Sequence, residues 1–238
     1  MADSNSDALA RWLTAVPLFQ QLSHAELLQL AQMGKRRAAA RDEFFFQQGD
    51  SAEFLYLLEL GQVRMTQLTP DGEQVILRYI RPQDMFGGIA AFTFKSYPAT
   101  AQALEDSRAL LWDAVAVREL MRSVPQLALN VMDHAAETII QLQDRVRELQ
   151  TERLEQRVAR ALLRLAHQAG KPLENGILID LPLSRQDIAE MTGTNLYSVS
   201  RILSNWEKQG IIEGGRERIV LSDPHRVVVI AEDLPSTP

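Results

Sequence analysis

Cysteine is absent from this chain of 238 residues. Without thiolate side chains the protein has no ligands for a cysteine-bound iron–sulfur cluster or a thiolate-bound haem, and it forms no disulfide or thiol switch. Its four histidines include no His-x-x-x-His pair, so the sequence shows no zinc motif. It also lacks a signal peptide and any long apolar run. We therefore expect a cytoplasmic protein without a membrane partner.

The chain also has no excess of basic residues over acidic ones. The chain has 25 Lys and Arg residues against 31 Asp and Glu residues, which gives a net charge of −6 at pH 7. Because no global positive field attracts polyanions, binding to nucleic acid has to rest on local contacts that weaken steeply with salt. The length is sufficient for a buried core and for two domains.

Residues 183–210 predict two short amphipathic helices joined by a tight turn. Ser184 is placed to cap the first helix. Gly193 supplies the turn, since glycine tolerates the left-handed backbone that such a corner needs. Either Thr194 or Asn195 can cap the second helix.

The second helix, residues 195–209, has an apolar and a polar face. The apolar face is formed by Leu196, Val199, Ile202, Leu203 and Trp206. The polar face carries Tyr197, Ser200, Arg201, Ser204 and Lys208. Hydrogen-bond donors and a guanidinium on one helix face suit the base edges and phosphates of a DNA major groove. The pattern predicts a helix-turn-helix whose second helix reads DNA.

Two β-rich runs follow, at residues 211–213 and 218–221, around Gly214 and Gly215. Their spacing predicts a β-hairpin, and a hairpin directly after a reading helix is a wing. A helical hairpin in an enzyme is the alternative, but the turn glycine and the wing favour DNA binding. The candidates for base contact are Asn195, Tyr197, Ser198, Ser200 and Arg201, and those for phosphate contact are Arg185, Lys208, Arg216 and Arg218.

The first half of the chain indicates a different architecture. Short helices are predicted before Gly34, and β-rich runs separated by turn residues follow from about Arg36 to Ala114. Many short strands with turn chemistry between them are typical of an antiparallel barrel or jelly roll, which can enclose a ligand pocket. We expect a sensor domain over residues 1–124, a dimerisation helix over 125–153 and a DNA-binding domain over 154–238.

Pro125 begins the long helix, in which apolar residues recur at steps of about three and four with a charged opposite side. This is the seam of a two-stranded coiled coil. The predicted dimer contacts are Val131, Ala135, Ile139, Leu142, Val146 and Leu149. After the next helix, which begins at Leu154, residues 170–176 are expected to be a loop and 177–183 a strand.

A β-roll, a dimer helix and a winged helix-turn-helix in this order resemble the CRP/FNR family of bacterial transcription regulators. The markers are Gly49-Asp50, Leu60-Gly61-x-Val63, Asp71-Gly72, Asp84-Met85-Phe86-Gly87, SRQDIA at 184–189 and VSRIL at 199–203. The resemblance implies an α+β fold with a roll like a cyclic-nucleotide-binding domain. It also implies a homodimer that binds a two-fold-symmetric, double-stranded DNA operator and recruits or blocks RNA polymerase.

The family's cyclic AMP site carries over poorly. The resemblance places its phosphate-binding arginine near Tyr97, within residues 96–100, and its ribose-binding glutamate at Gly88, while Leu142 and Gln143 stand at the positions that meet the adenine. A buried cyclic phosphate without a cation is unfavourable, so cyclic AMP is disfavoured as the effector. The candidate residues of an effector pocket are Phe86, Gly87, Gly88, Tyr97, Thr100 and Leu142.

On the reading helix, Ser200 and Arg201 match the pair that reads the TTG part of FNR-like half-sites, with Tyr197 in place of the usual glutamate. Residues 193–201 are most similar to the nitrogen-oxide-responsive Dnr/NnrR-type branch, which implies haem as a candidate cofactor. The β-rich region has no histidine, so the haem-ligand candidates are His24 and His134, and an ordinary surface or capping role is favoured for both.

Three functions compete on these grounds. The leading hypothesis is a regulator whose roll responds to a small molecule or to haem and nitric oxide. The second is an effector-independent regulator with a structural roll. The third is a cupin-like enzyme, which needs metal-binding histidines on strands that have none. The sequence also shows no nucleophile–base pair and no phosphate loop, so we expect no catalysis.

Overall fold

The computed structural model describes residues 2–93, 95–215 and 217–234. The chain divides into two compact units, Met1–Gln141 and Leu142–Pro238. One long helix, Pro125–Thr151, contributes to both units.

The chain begins with helices that the sequence predicts. Helix α1 is Ala2–Leu13, a 3-10 turn spans Pro17–Phe19, and α2 is His24–Met33. The start of α2 is fixed by a capping box: the Ser23 hydroxyl accepts from the Glu26 amide, and the Glu26 carboxylate accepts from the Ser23 amide at 2.7 Å.

Two antiparallel sheets form the β-roll. The strands are β1 (Lys35–Ala39), β2 (Phe44–Phe46), β3 (Phe54–Leu60), β4 (Val63–Leu68), β5 (Gln74–Ile80), β6 (Met85–Phe86), β7 (Thr100–Ala103) and β8 (Ser107–Asp113). One sheet has the order β1-β8-β3-β6 and the other β2-β7-β4-β5. The expected jelly-roll type of architecture is confirmed. Two helices complete the roll, α3 at Gly88–Thr93 and α4 at Ala114–Ser123.

The roll has two hydrophobic cores. One lies between the sheets and includes Phe45, Leu58 and Ala101. The other joins the N-terminal helices to the outer face of the first sheet, where the buried indole of Trp112 donates to the Leu30 carbonyl at 2.8 Å. The first half of the long helix, α5 (Pro125–Thr151), belongs to this unit.

The second unit is a winged helix-turn-helix. Its elements are α6 (Leu154–Ala169), β9 (Gly170–Leu173), β10 (Gly176–Ile179), α7 (Arg185–Thr192), α8 (Leu196–Lys208), β11 (Ile212–Gly215), β12 (Arg218–Leu221) and α9 (Pro224–Ala231). The strands form a sheet in the order β11-β12-β10-β9. The predicted helix pair and hairpin are both present.

Three details of this unit differ from the sequence prediction. The expected loop at 170–176 is mostly strand, because β9 pairs with β10 in a hairpin of its own. The predicted strand at 177–183 ends at Ile179. Gly214 and Gly215 lie inside β11 rather than at the hairpin turn, where Glu217 takes the left-handed backbone with φ 53°. An added Cβ at Gly214 would meet the Glu207 carboxylate, so a larger residue there would require that side chain to move.

Local capping defines the helix-turn-helix. The Ser184 hydroxyl accepts from the Asp187 amide, and Gly193 ends α7 with φ 64°. Of the two cap candidates for α8, Asn195 is the one used, since its side-chain oxygen accepts from the Ser198 amide at 2.9 Å.

The end of α5 is anchored within this unit. Glu148 is 6% exposed and pairs with Arg164 of α6 at 2.7 Å. Arg145, one turn earlier, donates to the carbonyl of Met191 near the end of α7. Because a buried carboxylate requires a partner, the pair with Arg164 holds α5 against α6. The bond from Arg145 holds α5 against α7.

An ion pair also links the first helix of the motif to the second. The Arg185 guanidinium lies 2.9 Å from the Glu207 carboxylate and donates to the Ser204 hydroxyl at the same distance. It also donates to the Ser200 carbonyl at 3.3 Å. Arg185 thus contacts α8 at three positions along that helix. These contacts hold the start of α7 against α8. We call Arg185, Ser204 and Glu207 the inter-helix clamp.

We expect the Arg185–Glu207 pair to contribute about 1 kcal/mol to the free energy of unfolding, since it is partly screened by solvent. A double-mutant cycle with Arg185→Ala and Glu207→Ala, read by urea denaturation, measures this coupling. The exposed Arg147–Asp144 pair on α5 is the control, at 56% and 58% side-chain exposure. A coupling no larger than that of the control contradicts the clamp.

Candidate nucleic-acid interface

Helix α8 presents a continuous face to solvent. Its buried side consists of Val199, Leu203 and Trp206, and the Trp206 indole donates to the Glu155 carboxylate on α6 at 2.8 Å. On the opposite side Tyr197 is 77% exposed, and Arg201 is also exposed. The hydrophobic contacts on one side therefore leave Tyr197 and Arg201, among the predicted base contacts, open to a ligand.

Leu196 departs from the sequence prediction. It was assigned to the apolar, buried face, but it is 46% exposed because it stands in the first turn, ahead of the residues that pack on the core. Its exposed side chain lies beside Tyr197 at the N-terminal end of α8. The sequence pattern of apolar residues did not predict that Leu196 belongs to the exposed face of α8.

Some of the polar side chains predicted to contact DNA are used within the fold, and others are exposed to solvent. The Asn195 side chain caps α8, and Ser198 and Ser200 are partly buried. Lys208 and Arg218 are exposed. These two cations are therefore available for phosphate, while Asn195 uses its side-chain oxygen within the fold.

Two phosphate candidates need separate comment. Arg185, expected from the sequence to contact phosphate, instead directs its guanidinium into the inter-helix clamp. Its phosphate contact stays a prediction, for a side chain that the fold already engages. Arg216 lies outside the described residues.

The predicted effector residues in the roll lie among aromatic rings. Phe86 and Tyr97 are each 2% exposed, and the Tyr97 ring stacks on Phe46 with 3.8 Å between ring centroids. The Tyr97 phenol donates to the Phe54 carbonyl at 2.5 Å and accepts from the Phe54 amide at 3.1 Å. Burial raises the pKa of the Tyr97 phenol, which keeps it a neutral donor. Phe86 and Tyr97 thus pack in the core instead of lining an open pocket.

The surrounding positions do not supply a cyclic-nucleotide site. Gly87 has φ 73°, and an added Cβ there would meet the rings of Phe46, Tyr97 and Tyr56 at 3.2–3.3 Å. Gly88 offers no carboxylate for a ribose. The Thr100 hydroxyl accepts from the Gln48 amide at 2.9 Å. These residues do not fit a cyclic phosphate, because their polar side chains are a neutral phenol bound to backbone and a hydroxyl engaged with Gln48, and none of them is a cation.

The haem-ligand candidates have separate environments. His24 is exposed, with its Nε2 3.0 Å from the Asp7 carboxylate. His134 is partly buried on α5; burial and then Arg78 lower the pKa of His134, while Glu137 and Asp84 oppose them. Across the part of the chain that the structure describes, no three metal-ligating side chains cluster. Among the same residues, no helix is long and apolar enough to span a membrane.

A second exposed surface runs along α5. Of the predicted seam, Val131 and Ala135 are partly buried, and Ile139 and Leu142 are 54% and 60% exposed. Val146 and Leu149 are also about half exposed, at 53% and 48%. The structure widens the stripe with three apolar residues that the heptad pattern did not include: Leu129, Met132 and Ile140.

Comparison with known proteins agrees with this geometry. Residues 36–124 match the model of a cyclic nucleotide-binding domain, and residues 156–228 match that of a Crp-like helix-turn-helix domain. The transcriptional regulator LdrP of Thermus thermophilus is 32% identical over 192 residues, which cover 77% of this chain and 90% of LdrP. The anaerobic regulatory protein of Bacillus subtilis is 26% identical, covering 94% of this chain and 96% of that protein.

A solved structure gives the same result. A CRP-family transcriptional regulator, also from Thermus thermophilus, superposes with a TM-score of 0.69 and 31% identity, covering 82% of this chain and 96% of that one. These relatives are regulators and not enzymes, so the cupin-like alternative is set aside. The reading helix, the wing and the roll together show that this chain belongs to the CRP/FNR family of DNA-binding transcription regulators.

Proposed function

We propose that the protein acts as a homodimer on a palindromic DNA operator, with one α8 helix in each half-site. The apolar stripe of α5 is the observation that carries the dimer. Its large side chains stay about half exposed or more within one chain, and a contiguous apolar stripe of this kind favours a partner surface. The three- and four-residue steps suit a second copy of the same helix.

A parallel pair of α5 helices would relate the two helix-turn-helix units by two-fold symmetry. Reading helices in such dimers enter successive major grooves about 34 Å apart. The anchoring of α5 by Glu148 and Arg145 supports this mechanism, because it makes the position of α7 and α8 depend on the dimer helix. RNA polymerase is the proposed protein partner at the promoter.

Within each half-site, we assign base contact to the exposed face of α8. Arg201 presents a guanidinium, whose donors fit the O6 and N7 acceptors of guanine. Tyr197 lies one helical turn before Arg201, and Ser200 lies one turn after Leu196, so the members of each pair are on the same side of the helix. Lys208 and Arg218 are assigned to phosphate, together with Arg216.

Arg201→Ala is expected to weaken binding to the cognate operator by about 1–3 kcal/mol and to relax the preference for the contacted guanine, because a bidentate contact is lost. Binding to the operator and to its base-pair variants, measured by fluorescence anisotropy, tests this. Arg218→Ala is the comparison, with a loss that is similar on all sequences. An equal loss on all sequences for Arg201→Ala would reduce it to a phosphate contact.

Leu142→Asp is expected to dissociate the dimer, since it places a carboxylate in the apolar seam. Light scattering of the purified variant measures the mass directly. Leu173→Asp on β9 is the matched control, because Leu173 is an exposed leucine at 44% outside the stripe. A Leu142→Asp variant that remains dimeric rules out this seam.

For the roll, the aromatic packing favours the effector-independent hypothesis over a ligand pocket. Tyr97 and Phe46 stack in the core of the roll, and none of the candidate pocket residues carries a cation for a bound phosphate. The likeness of the reading helix to the Dnr/NnrR-type branch supports haem as the alternative. We therefore propose that the roll is a structural support for α5 and that the regulator binds DNA without cyclic AMP.

Operator binding is expected to be unchanged by saturating cyclic AMP, and the protein is expected to show no Soret band after incubation with haem. Anisotropy titrations with and without each ligand, plus an absorbance spectrum, make the measurement. A sharp Soret band, together with DNA binding that depends on haem and nitric oxide, would contradict the structural role and show that the roll is a gas sensor.

A further inference from the structure

The reading face of α8 begins with an apolar surface. Leu196 and Tyr197, the first two residues of the helix, are 46% and 77% exposed. The remaining exposed part of this face is polar or cationic, with Arg201 and Lys208. Two adjacent side chains with large apolar surfaces, at the entering end of the proposed DNA-reading helix, suit an apolar group on the DNA.

Part of the polar capacity of α8 is used within the fold. The Asn195 oxygen caps the helix through the Ser198 amide, and two turns further along the Ser204 hydroxyl accepts from Arg185. The stretch 194–206 contains no acidic residue, and Glu207 is paired with Arg185. The exposed face therefore has no carboxylate to accept from the amino group of cytosine.

The spacing places the apolar pair close to the guanidinium. Tyr197 and Arg201 are four residues apart, as are Leu196 and Ser200, so each pair lies on one side of the helix. One helical turn rises about 5.4 Å, which is less than two base-pair steps of about 3.4 Å each. A base pair met by Tyr197 or Leu196 then lies within about two steps of the one met by Arg201.

We infer that Leu196 and Tyr197 select thymine in the operator half-site by contact with its C5-methyl group. This inference rests on the proposed DNA-binding function and adds specificity determinants to it. The thymine methyl is the one apolar group that a base presents in the major groove, and both side chains offer it apolar surface. The half-site then contains thymine within about two base pairs of the guanine that Arg201 reads.

Replacing thymine by deoxyuridine tests the inference, because it removes only the methyl group. The operator is first selected from a random DNA pool with the wild-type protein, and each thymine of both half-sites is then replaced in turn. We expect binding of the wild-type dimer to weaken about fourfold for each methyl lost at a contacted thymine, the ratio that corresponds to burial of one CH₂.

The side chains are tested in the same assay. Leu196→Ala keeps a good helix former at the position and should bind thymine and deoxyuridine operators equally at its contacted base. Tyr197→Ala should bind thymine and deoxyuridine operators equally at the base that Tyr197 contacts. Tyr197→Phe retains the ring and should still bind the thymine operator more tightly. Val228→Ala, an exposed valine at 38% on α9, is the control that keeps the full wild-type discrimination.

Two results would overturn the inference while leaving the proposed function in place. One is a selected palindrome in which no thymine is sensitive to loss of its methyl. The other is a Leu196→Ala, Tyr197→Ala double variant that still discriminates as the wild-type protein does. Selection that enriches no sequence would overturn the operator-binding function and this inference together.

Discussion

The orientation of α8 depends on the burial of one face of that helix. Val199, Leu203 and Trp206 are almost completely removed from solvent, and the Trp206 indole has the Glu155 carboxylate as its acceptor, so this face cannot turn outward without losing both. The exposed side is thereby fixed as well. The inter-helix clamp of Arg185 adds a second restraint from α7. Under the proposed function, apolar packing on the side of α8 that faces away from the DNA therefore orients the side that reads it.

The interior of the roll is packed with aromatic side chains. Tyr97 is buried there, and its phenol bonds to both backbone groups of Phe54. A ring that stacks on Phe46 and satisfies backbone polar groups stabilises the core of the roll.

The sequence predicted the helix-turn-helix well because its determinants are local: Ser184 and Asn195 cap the helices and Gly193 makes the turn. The strands of the roll were predicted only as a β-rich region, and β1 gives a weak signal because an exposed edge strand of basic residues shows no alternation of apolar residues. The clamp was missed since Arg185 and Glu207 are 22 residues apart and only the fold brings them together. The exposure of Leu196 was missed because the periodicity of apolar residues assigns a residue to a helix face. It does not show whether other parts of the protein cover that residue.

The clamp also bears on how the protein should respond to ionic strength. A cation that neutralises phosphate releases condensed counterions from DNA, and each such contact steepens the salt dependence of affinity by about 0.9 in the log–log slope. The Arg185 charge is compensated by Glu207 inside the fold. If the protein binds DNA as the proposed dimer and this pair persists, the slope is smaller by about 1.8 than for a protein that directs the same arginine to a DNA phosphate. The affinity would then depend less on the concentration of salt.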